Sequence, residues 1–326
     1  MRKLTFLVVI LAALYGGYWF VGSRAIENGA RQGLVDLQAD GWDVRYSDLS
    51  TAGFPSRFDT TVTELSLRSP DGLTGWDGPF VQIFALSYQP NKVIAVLPRD
   101  FTLTIEGDTF TVVNDRLRAS GAVKASSDLA LSDITAEADQ LAVSSARLGQ
   151  ITLNRGLAAL RAVRDMPNRY DTYLELNDLA RETPLLVRDR LPDRLERFVF
   201  DGAMTFDRPL DRHGFDGTGP EPALREVDLR NMALDVADMS LTASGQLTVD
   251  ALGVPDGRIT FRTAQWRQLI DYLVVAGVID TGMQRTVTNV AQAMAAGGGE
   301  LALPLSFQNG FMSIGPLPVG PAPRLR

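Results

Sequence analysis

No charged residue interrupts the run from Leu4 to Ser23, which follows directly on Met1-Arg2-Lys3. Twenty residues at about 1.5 Å each make a helix of roughly 30 Å, the thickness of a bilayer's hydrocarbon core. Leu7, Val8, Val9, Ile10, Leu11 and Leu14 carry the insertion free energy, about −0.3 to −0.6 kcal/mol for each such residue. Tyr15, Tyr18 and Trp19 gather at the far end, where amphipathic rings sit at headgroup level. The segment therefore reads as a transmembrane helix or a signal peptide. A cleavable signal has an apolar region of about 7–15 residues and a small-x-small site. Here the run is longer, and the best cleavage candidate, Ser23-Arg24-Ala25, follows bulky aromatics, so an uncleaved anchor is favoured. Arg24 and Arg31 balance Arg2 and Lys3 and leave the charge rule equivocal, but a three-residue tail before a large body favours a cytoplasmic amino terminus. The remainder is then expected beyond the membrane, in the periplasm if the chain is bacterial.

Composition excludes several classes. Lys plus Arg is 32 against Asp plus Glu 39, a net charge of −7, which disfavours nucleic acid as a partner. There is no cysteine, so disulfides, thiolate chemistry and zinc–sulfur or iron–sulfur sites are impossible. A cysteine-free chain suits an oxidising compartment without requiring one. His213 is the one histidine, which rules out multi-histidine metal sites.

Past the apolar run, Ile26, Ala30, Leu34 and Leu37 keep a helical period up to Asp40-Gly41. From Trp42 the period becomes two: Trp42, Val44 and Tyr46 alternate with Asp43, Arg45 and Ser47. Phe58, Thr60 and Val62 share one parity and Leu65 and Leu67 the other, so this strand needs a bulge or bend. Short β-rich runs follow at spacings that predict an antiparallel meander. The composition of Gly156–Asp165 predicts a helix, and Pro184–Glu196 a helix or loop. Asp207–Pro222, rich in Gly and Pro, is the expected long loop between two halves. The predicted organisation is thus an anchor (1–23), an amphipathic connecting helix (24–41), a first β-rich half (42–206), the loop (207–222) and a second half (223–326). Trp266, Leu269, Ile270 and Leu273, then Met283, Val287, Val290, Ala291 and Met294, predict two helices within about 264–296. Asn309-Gly310 predicts a hairpin. An internal echo relates Leu117–Val123 to Leu241–Leu247.

Phosphate-binding glycine loops, nucleophile elbows and calcium loops are absent from the sequence. Asp211, His213 and Asp216 lie together, but a Gly/Pro-rich loop lacks the rigid setting that a catalytic group needs. The Arg188, Arg190, Arg194 and Arg197 cluster alternates with Asp189, Asp193 and Glu196 and reads as a solvated, ion-paired face. No catalytic residue, metal or cofactor is expected, and the chain is not expected to be an enzyme.

Three segments resemble a known family. Trp42–Tyr46 leading to Gly53-Phe54-Pro55, Leu241–Gly245 leading to Asp256-Gly257-Arg258, and the ending from Leu303-Pro304-Leu305 through Asn309-Gly310 to Gly315–Pro318 are similar to the bacterial domain of unknown function numbered 2125. That resemblance implies a single-pass inner-membrane protein facing the periplasm. More remotely, the ending resembles AsmA-like envelope proteins, whose long antiparallel sheets curl into apolar grooves associated with lipid movement. The expected fold is β-rich α+β: long curved antiparallel sheets in two similar halves after one transmembrane helix. A 16-carbon chain exposed to water costs roughly 13 kcal/mol, so a lipid crossing an aqueous gap needs an apolar trough. The expected partners are the membrane and lipid, with Phe58, Val62, Leu65, Phe84, Leu86 and Val112 as expected lining. The rival expectation is an envelope assembly scaffold whose helices cap the sheet.

Overall fold

A computed structural model describes residues 2–182, 192–215, 219–277, 279–295, 299–315 and 317–325. The chain is mostly β, with 55% of residues in strands and about 20% in helix, so the β-rich expectation holds. It forms two compact units, Met1–Ala125 with Ala136–Gly149, and Ser126–Thr135 with Gln150–Arg326.

The first unit opens on α1 (Arg2–Ala39), a helix that joins the apolar run and the amphipathic stretch without a break. Strands β1 (Asp43–Arg45), β2 (Asp48–Ala52), β3 (Arg57–Arg68), β4 (Gly75–Leu86), β5 (Gln89–Val96), β6 (Asp100–Ile105), β7 (Asp108–Val113) and β8 (Arg116–Val123) follow, with most of β9 (Leu131–Ser145). Helix α1 lies along β1–β3: Arg31 donates to Leu49 O at 2.6 Å, and the Thr51 N–H donates to Glu27 at 2.7 Å. The parity switch foreseen in β3 occurs at Glu64, whose φ of 51° interrupts the ladder between Thr63↔Phe80 and Leu65↔Gly78. Pro79, which has no N–H to give, stands opposite. This unit is no simple meander. One end of β4 pairs with β5 and the other with β6, while β5 also pairs with β8.

The second unit is a meander. Its strands are β10 (Gly149–Val163), β11 (Met166–Arg181), β12 (Arg194–Phe206), β13 (Leu224–Val236), β14 (Met239–Val249), β15 (Pro255–Thr263), β16 (Leu301–Gln308), β17 (Phe311–Ile314) and β18 (Leu317–Pro321). Each pairs antiparallel with the next. Three helices interrupt the series: α2 (Arg212–Phe215), α3 (Trp266–Val275) and α4 (Gln284–Met294). The two helices foreseen within about 264–296 are α3 and α4, whereas α2 is a single turn inside the segment read as a loop. The helix foreseen over Gly156–Asp165 is absent; Gly156–Val163 extend β10, in register with β11 from Ile151↔Arg181 to Ala162↔Tyr170, and Arg164 and Asp165 form the turn. Ala, Leu and Arg favour helix by only a few tenths of a kcal/mol each, and strand pairing outweighs that preference. Of the segment Pro184–Glu196, residues 183–191 lie outside the described residues. The Asn309-Gly310 hairpin forms as read, with φ of 53° and 76° at its two turn residues and Gln308↔Phe311 closing it.

The long loop is latched at its ends by Asp207. Its N–H donates to Ala223 O at 2.9 Å, and its carboxylate accepts from the Ala223 N–H at 2.9 Å and from Arg208 at 3.0 Å. Arg208, the Ala223 N–H and Arg225 hold the Asp207 carboxyl down to about 2. A carboxyl depressed in the fold stabilises it above the unfolded value near 3.8 and loses that contribution as pH falls toward 2. Asp207→Asn is therefore expected to lower stability by about 1 kcal/mol at neutral pH, given the solvent screening at this site, and by almost nothing at pH 2. Urea midpoints of both proteins across pH 2–7 check this.

Candidate functional site

The anchor residues divide into two groups. Leu7, Val8, Val9, Ile10, Leu11 and Leu14 are exposed along α1 with no protein cover. By length and composition this helix can cross a membrane. From Tyr15 onward the same helix is held by the sheet. Tyr15 Oη lies 2.8 Å from Ser87 Oγ, Tyr18 Oη donates to Ser87 O at 2.6 Å, and Trp19 Nε1 donates to Arg57 O at 2.7 Å. Trp19 is 6% exposed; its ring stacks on Phe58 at 6.0 Å and meets Phe54 edge-on at 5.4 Å. Tyr18 keeps half its surface exposed.

The six residues expected to line a groove do not share a surface. Register places Phe58↔Ala85 and Val62↔Val81 on one face of the β3–β4 pair, whereas Leu86 and Phe84 stand opposite Arg57 and Asp59 on the other. Leu65 and Val112 belong to a third, closed environment. Val112 pairs with Phe101, Leu65 pairs with Gly78, and a Cβ added at Gly78 would meet the Trp76 ring and Phe101. Leu65, Phe101 and Val112 are all buried, so this row is core. Phe58 is likewise buried under Trp19. The face of Phe58 and Val62 continues through Val81, Ile83 and Ala85 onto Val93 and Ala95. There Ile83 and Val93 are 43% and 40% exposed.

A larger apolar face, which the sequence reading missed, lies in the second unit. The registers align Ala158, Leu174, Phe200, Met232, Ala243, Phe261 and Leu303 in one row. The adjacent row on the same side is Gly156, Leu176, Phe198, Leu234 and Leu241. Leu174, Leu176, Phe198, Phe200, Met232 and Leu234 are half-buried. Along the same rows Leu241 and Ala243 of β14 are buried. Helices α3 and α4 form a small core of Trp266, Ile270, Ala291 and Ala295 with Leu301, and Leu303 packs against it. Both of those strand residues belong to β16. The period-two parity of each strand was visible in the sequence; the registers that stack those parities into one face were not.

The opposite face is polar and ion-paired across strands. Arg230 reaches Asp171 at 2.7 Å and Asp201 at 2.6 Å, and both keep its guanidinium more firmly protonated, Asp201 first. Arg169 bridges Glu226 at 3.1 Å and Asp228 at 2.7 Å. Of the arginine cluster foreseen near residue 190, Arg194 pairs with Asp178 at 2.5 Å and Arg197 lies 3.7 Å from Glu175. Arg188 and Arg190 lie outside the described residues.

His213 sits in α2, where the Asp211 carboxylate accepts from the N–H groups of His213 at 3.0 Å and Gly214 at 3.3 Å. Its Nε2 is 4.0 Å from Asp128, and its side chain is 41% exposed. Asp216 lies outside the described residues. Asp211 thus caps a single helical turn. Among the described residues, no group of three or more His, Cys, Asp or Glu side chains is placed to hold a metal ion.

Residues 19–323 match a family described as an uncharacterized protein conserved in bacteria, DUF2125. No curated protein and no solved structure matches the chain.

Proposed function

We propose, for a chain that belongs to the DUF2125 family, a membrane-tethered role in the bacterial periplasm: holding or passing lipid or another hydrophobic envelope component along an apolar sheet face. The observation that carries this reading is the sheet face of the second unit, apolar row after row and only half-buried from β11 to β13. An apolar surface of that extent left only half-buried is rare on a soluble protein and marks a site of interaction. An acyl chain laid along it is shielded from water at about 0.8 kcal/mol per methylene. The exposed apolar turns of α1 support tethering to the inner membrane. Tertiary bonds from Tyr15, Tyr18 and Trp19 support retention of the anchor, because cleavage beyond Ser23 would strip them from Ser87 and Arg57. No catalytic step is part of this reading.

The scaffold alternative draws on α3 and α4, which already cap β16. A photo-crosslinking amino acid placed at Phe200 separates the two, with exposed Asn231 on the opposite, polar face as control. Lipid-mass adducts at Phe200 and none at Asn231 are expected. Protein adducts without lipid at Phe200 would replace the lipid reading with the scaffold.

A further inference from the structure

We infer that the first unit does not stand off the membrane on a stalk but sinks one rim, the β2–β3 turn with Phe54-Pro55 and the β4–β5 turn with Ser87-Tyr88, into the lipid interface. The inference rests on the anchored reading of α1.

Helix length forces the issue. Leu4–Leu14, the part of the apolar run before the first bond to the sheet, gives only about 16 Å of helix against a hydrocarbon core of about 30 Å. Local thinning of the bilayer and snorkelling of Arg2 and Lys3 take up part of that shortfall, and residues from Tyr15 on take up the rest, which brings the sheet's rim down to the interface. Those residues are the ones the sheet holds: Gly16 lies against the Phe54 ring, Gly22 against the Phe58 ring, and Tyr15 and Tyr18 bond Ser87. Tilting the helix lengthens the shortfall. Wherever Tyr15 sits in the bilayer, Ser87 sits beside it.

The rim is built for that depth in three independent ways. Its two segments carry no charge, 49–56 between Asp48 and Arg57, and 78–91 between Asp77 and Lys92. Its outward side chains are aromatic and apolar, with Phe54 56% and Tyr88 64% exposed beside Phe20 and Val21 of the helix at 57% and 72%. Its polar groups are spent internally, as groups away from water must be. Ser87 is fully buried; its Oγ donates to Pro55 O at 3.2 Å, its N–H to Ser56 O at 3.0 Å, and its carbonyl accepts from Tyr18. Trp19 satisfies Arg57 O. Amphipathic rings of this kind settle at the headgroup boundary. Continuity with the span identifies the occupant as the bilayer itself. The face of Ile83, Ala85 and Val93 begins at this rim, so an acyl chain reaches it sideways without first entering water.

The chain lacks cysteine, so single-cysteine variants of the full protein take a nitroxide label without background. The labelled variants Val9→Cys, Phe54→Cys, Tyr88→Cys and Leu73→Cys go into phosphatidylethanolamine–phosphatidylglycerol vesicles. Collision rates are then read with oxygen, which concentrates in lipid, and with a nickel chelate, which stays in water. Leu73 is the reference, exposed in the turn at the other end of β3 and β4. Oxygen-to-nickel ratios about tenfold above that of Leu73 are expected at Phe54 and Tyr88, and higher still at Val9. Tyr88 makes no ring contact with the helix, so its label reports even if Phe54→Cys disturbs the cluster. Rim ratios equal to that of Leu73 with a lipid-exposed Val9 would overturn the inference and leave the anchor intact. A water-exposed Val9 would remove both. Low access to oxygen and nickel together at the rim would mean protein contact there, and would also overturn it.

Discussion

Gly245→Val is expected to unfold the second unit, with a loss of at least about 4 kcal/mol. Gly245 stands in β14 directly opposite Ile259 of β15. A Cβ built there would lie 2.7 Å from the Ile259 Cα and collide with the Arg258 carbonyl oxygen. Both obstacles are backbone, so no rotamer change relieves them, and a branched side chain drives the two strands apart. Gly257, across the same ladder, is equally hemmed in by Gln246 O. A glycine inside a strand with a neighbouring backbone this near marks a close approach that a side chain cannot share. Thr242→Val, at an exposed site on the same strand, should stay within about 0.5 kcal/mol of the parent. Urea unfolding followed by circular dichroism, with hydrogen exchange resolving β14 and β15, measures both. Retention of native protection in β14 by Gly245→Val would show that the ladder gives way more easily than its geometry indicates.

Trp19→Ala should destabilise the first unit by about 3 kcal/mol. It removes a ring that is 6% exposed, empties the space between Phe54 and Phe58, and leaves Arg57 O without its Nε1 donor. Trp19→Phe keeps most of the packing and loses the hydrogen bond, so a cost of about 1 kcal/mol is expected. Gly29→Ala, at an exposed helical site with nothing within 4 Å, should be neutral or stabilising by up to about 1 kcal/mol. Urea midpoints in detergent micelles rank the three. An unchanged midpoint for Trp19→Ala would mean that the aromatic cluster is not part of the fold's stability, and would weaken the argument for a retained anchor.

Particular residues show where local sequence sufficed. The change of period at Trp42, the parity switch resolved at Glu64 and the Asn309-Gly310 turn are local events, decided within a few bonds, and each is found in the structure. The echo segments Leu117–Val123 and Leu241–Leu247 fall on strands, β8 and β14. Gly156–Asp165 misled because its composition favours a helix while its partner, Tyr170–Leu176, lies some residues further along the chain. Phe58 and Phe84 are both large and apolar. A pairing of Asp59 with Phe84, readable only from register, puts them on opposite faces.

Hydropathy and parity belong to single residues and their near neighbours, so the sequence by itself determined the apolar helix, the β-rich body and the alternation of each strand. Which alternations stack into a continuous apolar face depends on hydrogen-bond register between distant segments, and a slip of one residue reverses every side chain. Tertiary structure alone therefore decided that Leu174, Phe200 and Met232 share a surface, that Leu65 and Val112 are core, and that Trp19 turns from the lipid belt into the protein.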